Sequence, residues 1–161
     1  MSYKNLISYG ETLLSALKSI DDEKILLLVQ EISKKIDGNG EIFLVGNGGS
    51  AATATHFAND LAMGSKSIYK PFKAISLCDN QAITTALGND YGFESIFLKQ
   101  LECYSNPNDL VVAISASGNS PNLIRAIEYG NKNQLITISI TGFDGGILKN
   151  ISRNNIHIQT D

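Results

Sequence analysis

Ile42-Phe43-Leu44-Val45-Gly46-Asn47-Gly48-Gly49-Ser50 is the stretch on which the fold turns. Glu41 to Val45 is short and apolar, as a strand buried on both faces of a parallel sheet must be. The glycines after it permit a tight bend. A helix-compatible segment from about Ser50 to Met63 follows, so the stretch reads as the first strand-turn-helix of an α/β unit.

Upstream, Leu6, Leu13, Leu14 and Leu17 recur at helical spacing, and Ile25, Leu28, Val29, Ile32 and Ile36 do so after Asp21-Asp22. Two amphipathic helices therefore precede the first strand. Asp21 suits an N-cap and Asp37-Gly38-Asn39-Gly40 a stop. These helices either cover a sheet or pack against another subunit.

Downstream, strands are expected at Lys73 to Leu77, Leu110 to Ile114, Leu135 to Thr141 and Asn155 to Gln159. Helices are expected near Asp79 or Asn80, over Phe93 to Tyr104 and from Pro121 to about Asn131, with Gly88-Asn89-Asp90 interrupting the pattern. Alternation of this kind predicts right-handed βαβ units: an α/β fold of three layers, doubly wound around a mainly parallel five-stranded sheet. Ligands of such sheets bind beyond the carboxyl ends of the strands, where the winding reverses. The loops after the first and third strands meet there if those strands are neighbours.

The chain has 161 residues, 43% of them hydrophobic, which suits one domain with a sizeable core. A formal charge of −3 without a Lys/Arg run argues against a general nucleic-acid or anionic-membrane surface. No apolar run approaches the ~20 residues needed to span a bilayer, and Met1 to Asn5 lacks a secretory apolar region. Cys78 and Cys103 fit no metal spacing and read as reduced core thiols. A cytoplasmic protein is expected.

Gly46 to Ser50 offers close backbone approach and a helix N-terminus to an anion, with Ser50 as N-cap, phosphate ligand or both; an ordinary structural turn is the alternative. Neither the G-x-G-x-x-G spacing of a dinucleotide site nor a Walker lysine is present. Ser115-Ala116-Ser117-Gly118-Asn119-Ser120 is a second such loop, whose hydroxyls can surround a phosphate without a cation; serine and asparagine are also ordinary turn and cap residues. His56 and Asp60, at i and i+4, share a helix face. They can shuttle protons, bind a metal, or form a simple polar pair. His157 alternates with Ile156 and Ile158 and points away from the core.

Together, Gly46 to Ala52 with His56-Phe57-Ala58, Gly88 to Phe93, and Ile114 to Ser120 resemble the phosphoheptose isomerase branch of the SIS (sugar isomerase) domain family. The resemblance runs in order along nearly the whole chain, with Thr141-Gly142 and Gly145-Gly146 fitting a later loop. It implies one SIS domain with a flavodoxin-like strand order, residues 1–37 forming N-terminal helices and 41–161 the α/β core. It further implies interconversion of sedoheptulose 7-phosphate and D-glycero-D-manno-heptose 7-phosphate, an early step toward heptose in bacterial lipopolysaccharide, capsule or related glycans. A homotetramer with sites between subunits is implied, and zinc in some members.

On matching positions, the resemblance implies that Ser50, Ser115, Ser117 and Ser120 hold phosphate, with Gly48 and Ala116 offering backbone contact. Asn47 and Asp90 would meet substrate or its polar network, His56 would be a metal or substrate ligand, and Asp60 the catalytic carboxylate and a second metal ligand. Two departures stand out. The family has Glu where this chain has Asp60, which withdraws the carboxylate by roughly 1.5 Å; a shift of that size can cost on the order of a hundredfold in rate. The family's closing helix carries a Gln and a His, whereas this sequence stops at Asp161, before that helix. A non-catalytic SIS protein that binds a phosphosugar or a partner, as replication-initiator-binding regulators do, is the alternative expectation.

Overall fold

The computed structural model describes residues 3–36, 40–64 and 71–159. Two helices, α1 (Tyr3–Lys18) and α2 (Asp22–Ser33), lead into β1 (Ile42–Gly46) and α3 (Gly49–Ala62). β2 (Ala74–Ser76), α4 (Gln81–Tyr91), a 3-10 turn (Phe93–Ser95) and α5 (Ile96–Tyr104) follow. β3 (Leu110–Ser115), α6 (Pro121–Lys132), β4 (Ile136–Thr141), α7 (Gly146–Ile151) and β5 (Asn154–His157) complete the described elements.

The sheet is parallel throughout, in the order β2-β1-β3-β4-β5. β1 pairs with β3 along its whole length, from Ile42 against Leu110 to Gly46 against Ile114. The winding therefore reverses between β1 and β3, and their two Ser/Gly loops leave the same edge side by side.

Strand alternation separates two cores, as the pleat requires. Phe43, Val45, Val111 and Ala113 face α5, α6 and α7 through Phe97, Leu101, Leu123, Ile127 and Leu148. Ile42, Leu44, Leu110, Val112, Ile138 and Ile156 face α2 and α3 through Leu28, Ile32, Ala54 and Ala58. These are the three expected layers. Each fully buried large side chain contributes about 1.5–3 kcal/mol of apolar transfer energy.

Asp21 caps α2, accepting from the Glu23 N–H at 2.9 Å. The proposed stop at Asp37-Gly38-Asn39 lies outside the described residues; Gly40 has φ +133°. α2 covers the sheet, but among the described side chains of α1 only Ala16 is buried. Leu6, Ile7, Leu13, Leu14 and Leu17 on α1 are all at least half-exposed.

Two expectations are corrected. Gly88-Asn89-Asp90 is not a turn: α4 continues through it to Tyr91. A Cβ at Gly88 would meet only Ile96 Cγ2 at 4.0 Å, so the position needs no glycine. The break comes at Gly92, where φ is +84°. Cys78 is partly buried as expected, but Cys103 is exposed and is not a core thiol.

Candidate active site

Local chemistry shapes the first loop. Gly48, with φ +53°, is the N-cap of α3, so Ser50 lies within the helix's first turn and is not its cap. Gly46 is required for packing, because a Cβ there would lie 2.6 Å from the Ser50 carbonyl carbon and oxygen. The Ser50 hydroxyl is thereby held at the head of the helix beside the neighbouring loop.

The second loop is stiffened by its own hydroxyls. Buried Ser115 Oγ accepts from the Gly118 N–H at 3.1 Å, and Ser117 Oγ accepts from the Asn119 N–H at 3.3 Å. Gly118, with φ +64°, leans on the loop after β4, where an added Cβ would come within 2.0 Å of the Gly145 oxygen. The Leu148 N–H donates back to the Gly118 oxygen at 3.0 Å and the Ile147 N–H to Asn119 Oδ1 at 3.1 Å. Ser120 is the N-cap of α6 with Pro121 behind it, yet its hydroxyl makes no capping bond.

The two loops close on a crevice of about 220 Å³ lined by Asn47, Ser50, Ser115, Ala116, Ser117 and Ser120, with Leu123 and Phe143. Six of the eight substrate positions named from the sequence thus meet in one place. Among the described residues, no lysine or arginine lines it. An anion there is received by hydroxyls, backbone N–H groups and the first turns of α3 and α6.

Gly48 lines an adjoining cavity of about 150 Å³ with Gly46, Asn47, Cys78, Thr84 and Phe93. Asn47 belongs to both spaces. Among the described residues the buried Thr84 hydroxyl has no partner, and burial raises the Cys78 thiol above its ordinary value. Asp90 is not in either space. It lies exposed on α4, where Asn89 Nδ2 donates to it at 2.8 Å.

Asn122 is a residue that the sequence did not reveal. It is 1% exposed, and its amide pairs reciprocally with Asn47: Asn47 Nδ2 donates to Asn122 Oδ1 at 2.9 Å and Asn122 Nδ2 donates to Asn47 Oδ1 at 2.8 Å. Asn122 Oδ1 also accepts from the Leu123 N–H at 3.0 Å. The β1 loop and the head of α6 are thereby locked across the switch point.

His56 and Asp60 do share a face of α3, with Nε2 and Oδ2 3.4 Å apart. Their side chains are 78% and 57% exposed and line neither space. Two donors fall short of the three or four protein ligands of zinc sites, and among the described residues no group of three His, Cys, Asp or Glu converges. These residues alone do not form a zinc site. His157 points away from the core as expected, its Nδ1 3.2 Å from Thr141 Oγ1, with a pKa lowered by burial and by Lys149.

A doubly wound parallel sheet with paired Ser/Gly loops at its switch point defines an α/β protein with a candidate anion-binding crevice. The SIS domain profile matches residues 7–142. Phosphoheptose isomerase of Helicobacter pylori strain P12 is 35% identical over 158 residues, covering 98% of this chain and 82% of that protein. The solved phosphoheptose isomerase of Neisseria gonorrhoeae superposes with a TM-score of 0.82 at 30% identity, over 97% of this chain and 84% of that one. That of Francisella tularensis gives 0.87 at 28% identity, over 100% and 86%. The chain belongs to the SIS domain family, in its phosphoheptose isomerase branch.

Proposed function

We propose that this chain is an aldose-ketose isomerase that converts sedoheptulose 7-phosphate to D-glycero-D-manno-heptose 7-phosphate for bacterial heptose biosynthesis. The observation that carries the reading is the crevice at the β1/β3 switch point, lined by Asn47, Ser50, Ser115, Ala116, Ser117 and Ser120. The phosphoheptose isomerases at 35% and 30% identity support the substrate class.

Moving the carbonyl from C2 to C1 requires a base to take a proton from C1, donors to hold the enediolate, and an acid to return a proton to C2. The phosphate marks the other end of the sugar. In an extended chain, C1 lies roughly 7 Å from C7, so the reacting carbons fall outside the phosphate crevice. A proton-transfer pair placed away from that crevice suits this geometry. Asp60 takes the role of base, and His56 that of its hydrogen-bonding partner or acid. Phosphate binding supplies the positioning energy. His56 and Asp60 supply two donors, too few on their own to hold zinc.

The half-exposed leucines of α1 support association with further copies, and we place the enzyme in a homotetramer whose neighbouring subunits complete the site. Its site of action is the cytoplasm; no helix among the described residues is long and apolar enough to cross a membrane. Incubation with sedoheptulose 7-phosphate tests the reading: an aldose 7-phosphate product is expected, and no product with or without added Zn²⁺ overturns it.

The exposed His56–Asp60 pair favours one other reading, a non-catalytic SIS protein that binds a phosphosugar or a protein partner. Phosphosugar binding without turnover would establish it.

A further inference from the structure

A further crevice takes no part in the site above. It has a volume of about 380 Å³ and is lined by Ser19, Asp21 and Lys24 at the α1–α2 corner, by Lys149 on α7, and by Ser152, Arg153, Asn154, Asn155 and His157. In a chain of formal charge −3, it brings together Lys24, Lys149 and Arg153 against one carboxylate, Asp21. One oxygen of that carboxylate is engaged in capping α2. Among the described residues, the charged ends of the three cations make no ion pair within 4 Å.

The rest of the wall is polar: Ser19, Asn155 and His157 line it beside the cations. The cations call for an anion, and the polar wall suits the hydroxyls of its carrier.

We propose that this crevice is a second binding site for a phosphorylated polyol, with Lys24, Lys149 and Arg153 receiving the phosphate and the Ser19, Asn155 and His157 side of the wall facing the sugar hydroxyls. The volume accommodates a ligand of that size. α7 joins the two sites: it carries Lys149 into this one, and its Ile147 and Leu148 N–H groups hold the Asn119 side chain and the Gly118 carbonyl of the phosphate loop.

Calorimetric titration of the whole chain with sedoheptulose 7-phosphate tests the proposal, using Lys24→Glu/Arg153→Glu to disable this site and Ser117→Leu to disable the switch-point crevice. Both replaced cations lack side-chain partners among the described residues, and circular dichroism checks that each variant is folded. The expected result is two sites per chain, one weakened tenfold or more by the charge reversal and the other by Ser117→Leu. A single site that Ser117→Leu removes and the charge reversal leaves unchanged overturns this proposal while leaving the proposed function standing. A single site with the opposite response supports the second site and contradicts the assignment of the first. A charge reversal at exposed Lys73, which precedes β2 at the sheet edge opposite β5, that weakens binding equally would reduce the effect to general electrostatics and overturn the proposal.

Discussion

Replacing Asn122 with alanine removes three hydrogen bonds at once, two with Asn47 and one with the Leu123 N–H. Each is worth about 0.5–1.5 kcal/mol net, and the partly buried Asn47 amide left behind adds desolvation cost. A total loss of about 2–4 kcal/mol follows. For a domain of this length, that lowers the melting temperature by roughly 6–12 °C. The consequence for binding is separate. Asn47 lines the phosphate crevice and the cavity beside it, so freeing its amide loosens the crevice wall, and phosphosugar affinity should fall about tenfold. Urea unfolding at fixed protein concentration reads the first effect and calorimetry the second. Asn122→Asp serves as the informative partner: it keeps an acceptor for the Leu123 N–H but sets an oxygen against Asn47 Oδ1, so it should also weaken binding. If Asn122→Ala changes stability by less than about 0.5 kcal/mol and leaves affinity unchanged, the lock between the two loops is not real.

Ser117→Leu should weaken phosphosugar binding far more than it weakens folding, since Ser117 is exposed at the crevice; equal affinity in calorimetry would contradict its assignment. Gly118→Ala should destabilise the protein by more than about 2 kcal/mol, because φ is +64° and the new Cβ would meet the Gly145 oxygen; thermal melting reads it. Iodoacetamide should label exposed Cys103 before Cys78, whose thiol burial raises above its ordinary pKa, with peptide mapping as the readout. The folded state holds His157 below its ordinary 6.5, so its contribution to stability is complete above about pH 6.5 and is lost as pH falls through the lowered value; His157→Gln should flatten that part of the melting-temperature profile.

The sheet was readable because its strands are short apolar runs punctuated by turn residues, and because two loops of the same chemistry fall at a switch point if β1 and β3 are neighbours. Gly88 misled the reading of α4: the helix penalty of one glycine, about 1 kcal/mol, is small beside the packing of the whole element, and the positive φ that ends it belongs to Gly92. Ser50 reads as an N-cap by residue type, yet the helix already begins at Gly49, with Gly48 at φ +53° before it. Asn122 could not be found from spacing, since its partner lies 75 residues away and only the folded sheet brings them together. The His56–Asp60 face was legible from i, i+4 periodicity, but its exposure depends on what the rest of the fold leaves uncovered.

The central claim is that an anion-anchored sugar undergoes proton transfer at its far end. Incubation of the protein with sedoheptulose 7-phosphate in D₂O, followed by proton NMR, tests it most directly. The account predicts an aldose 7-phosphate carrying deuterium at C2, with Asp60→Asn abolishing its formation while phosphosugar affinity stays within about twofold. Tight binding with no aldose product and no loss of the C1 proton signals would contradict it.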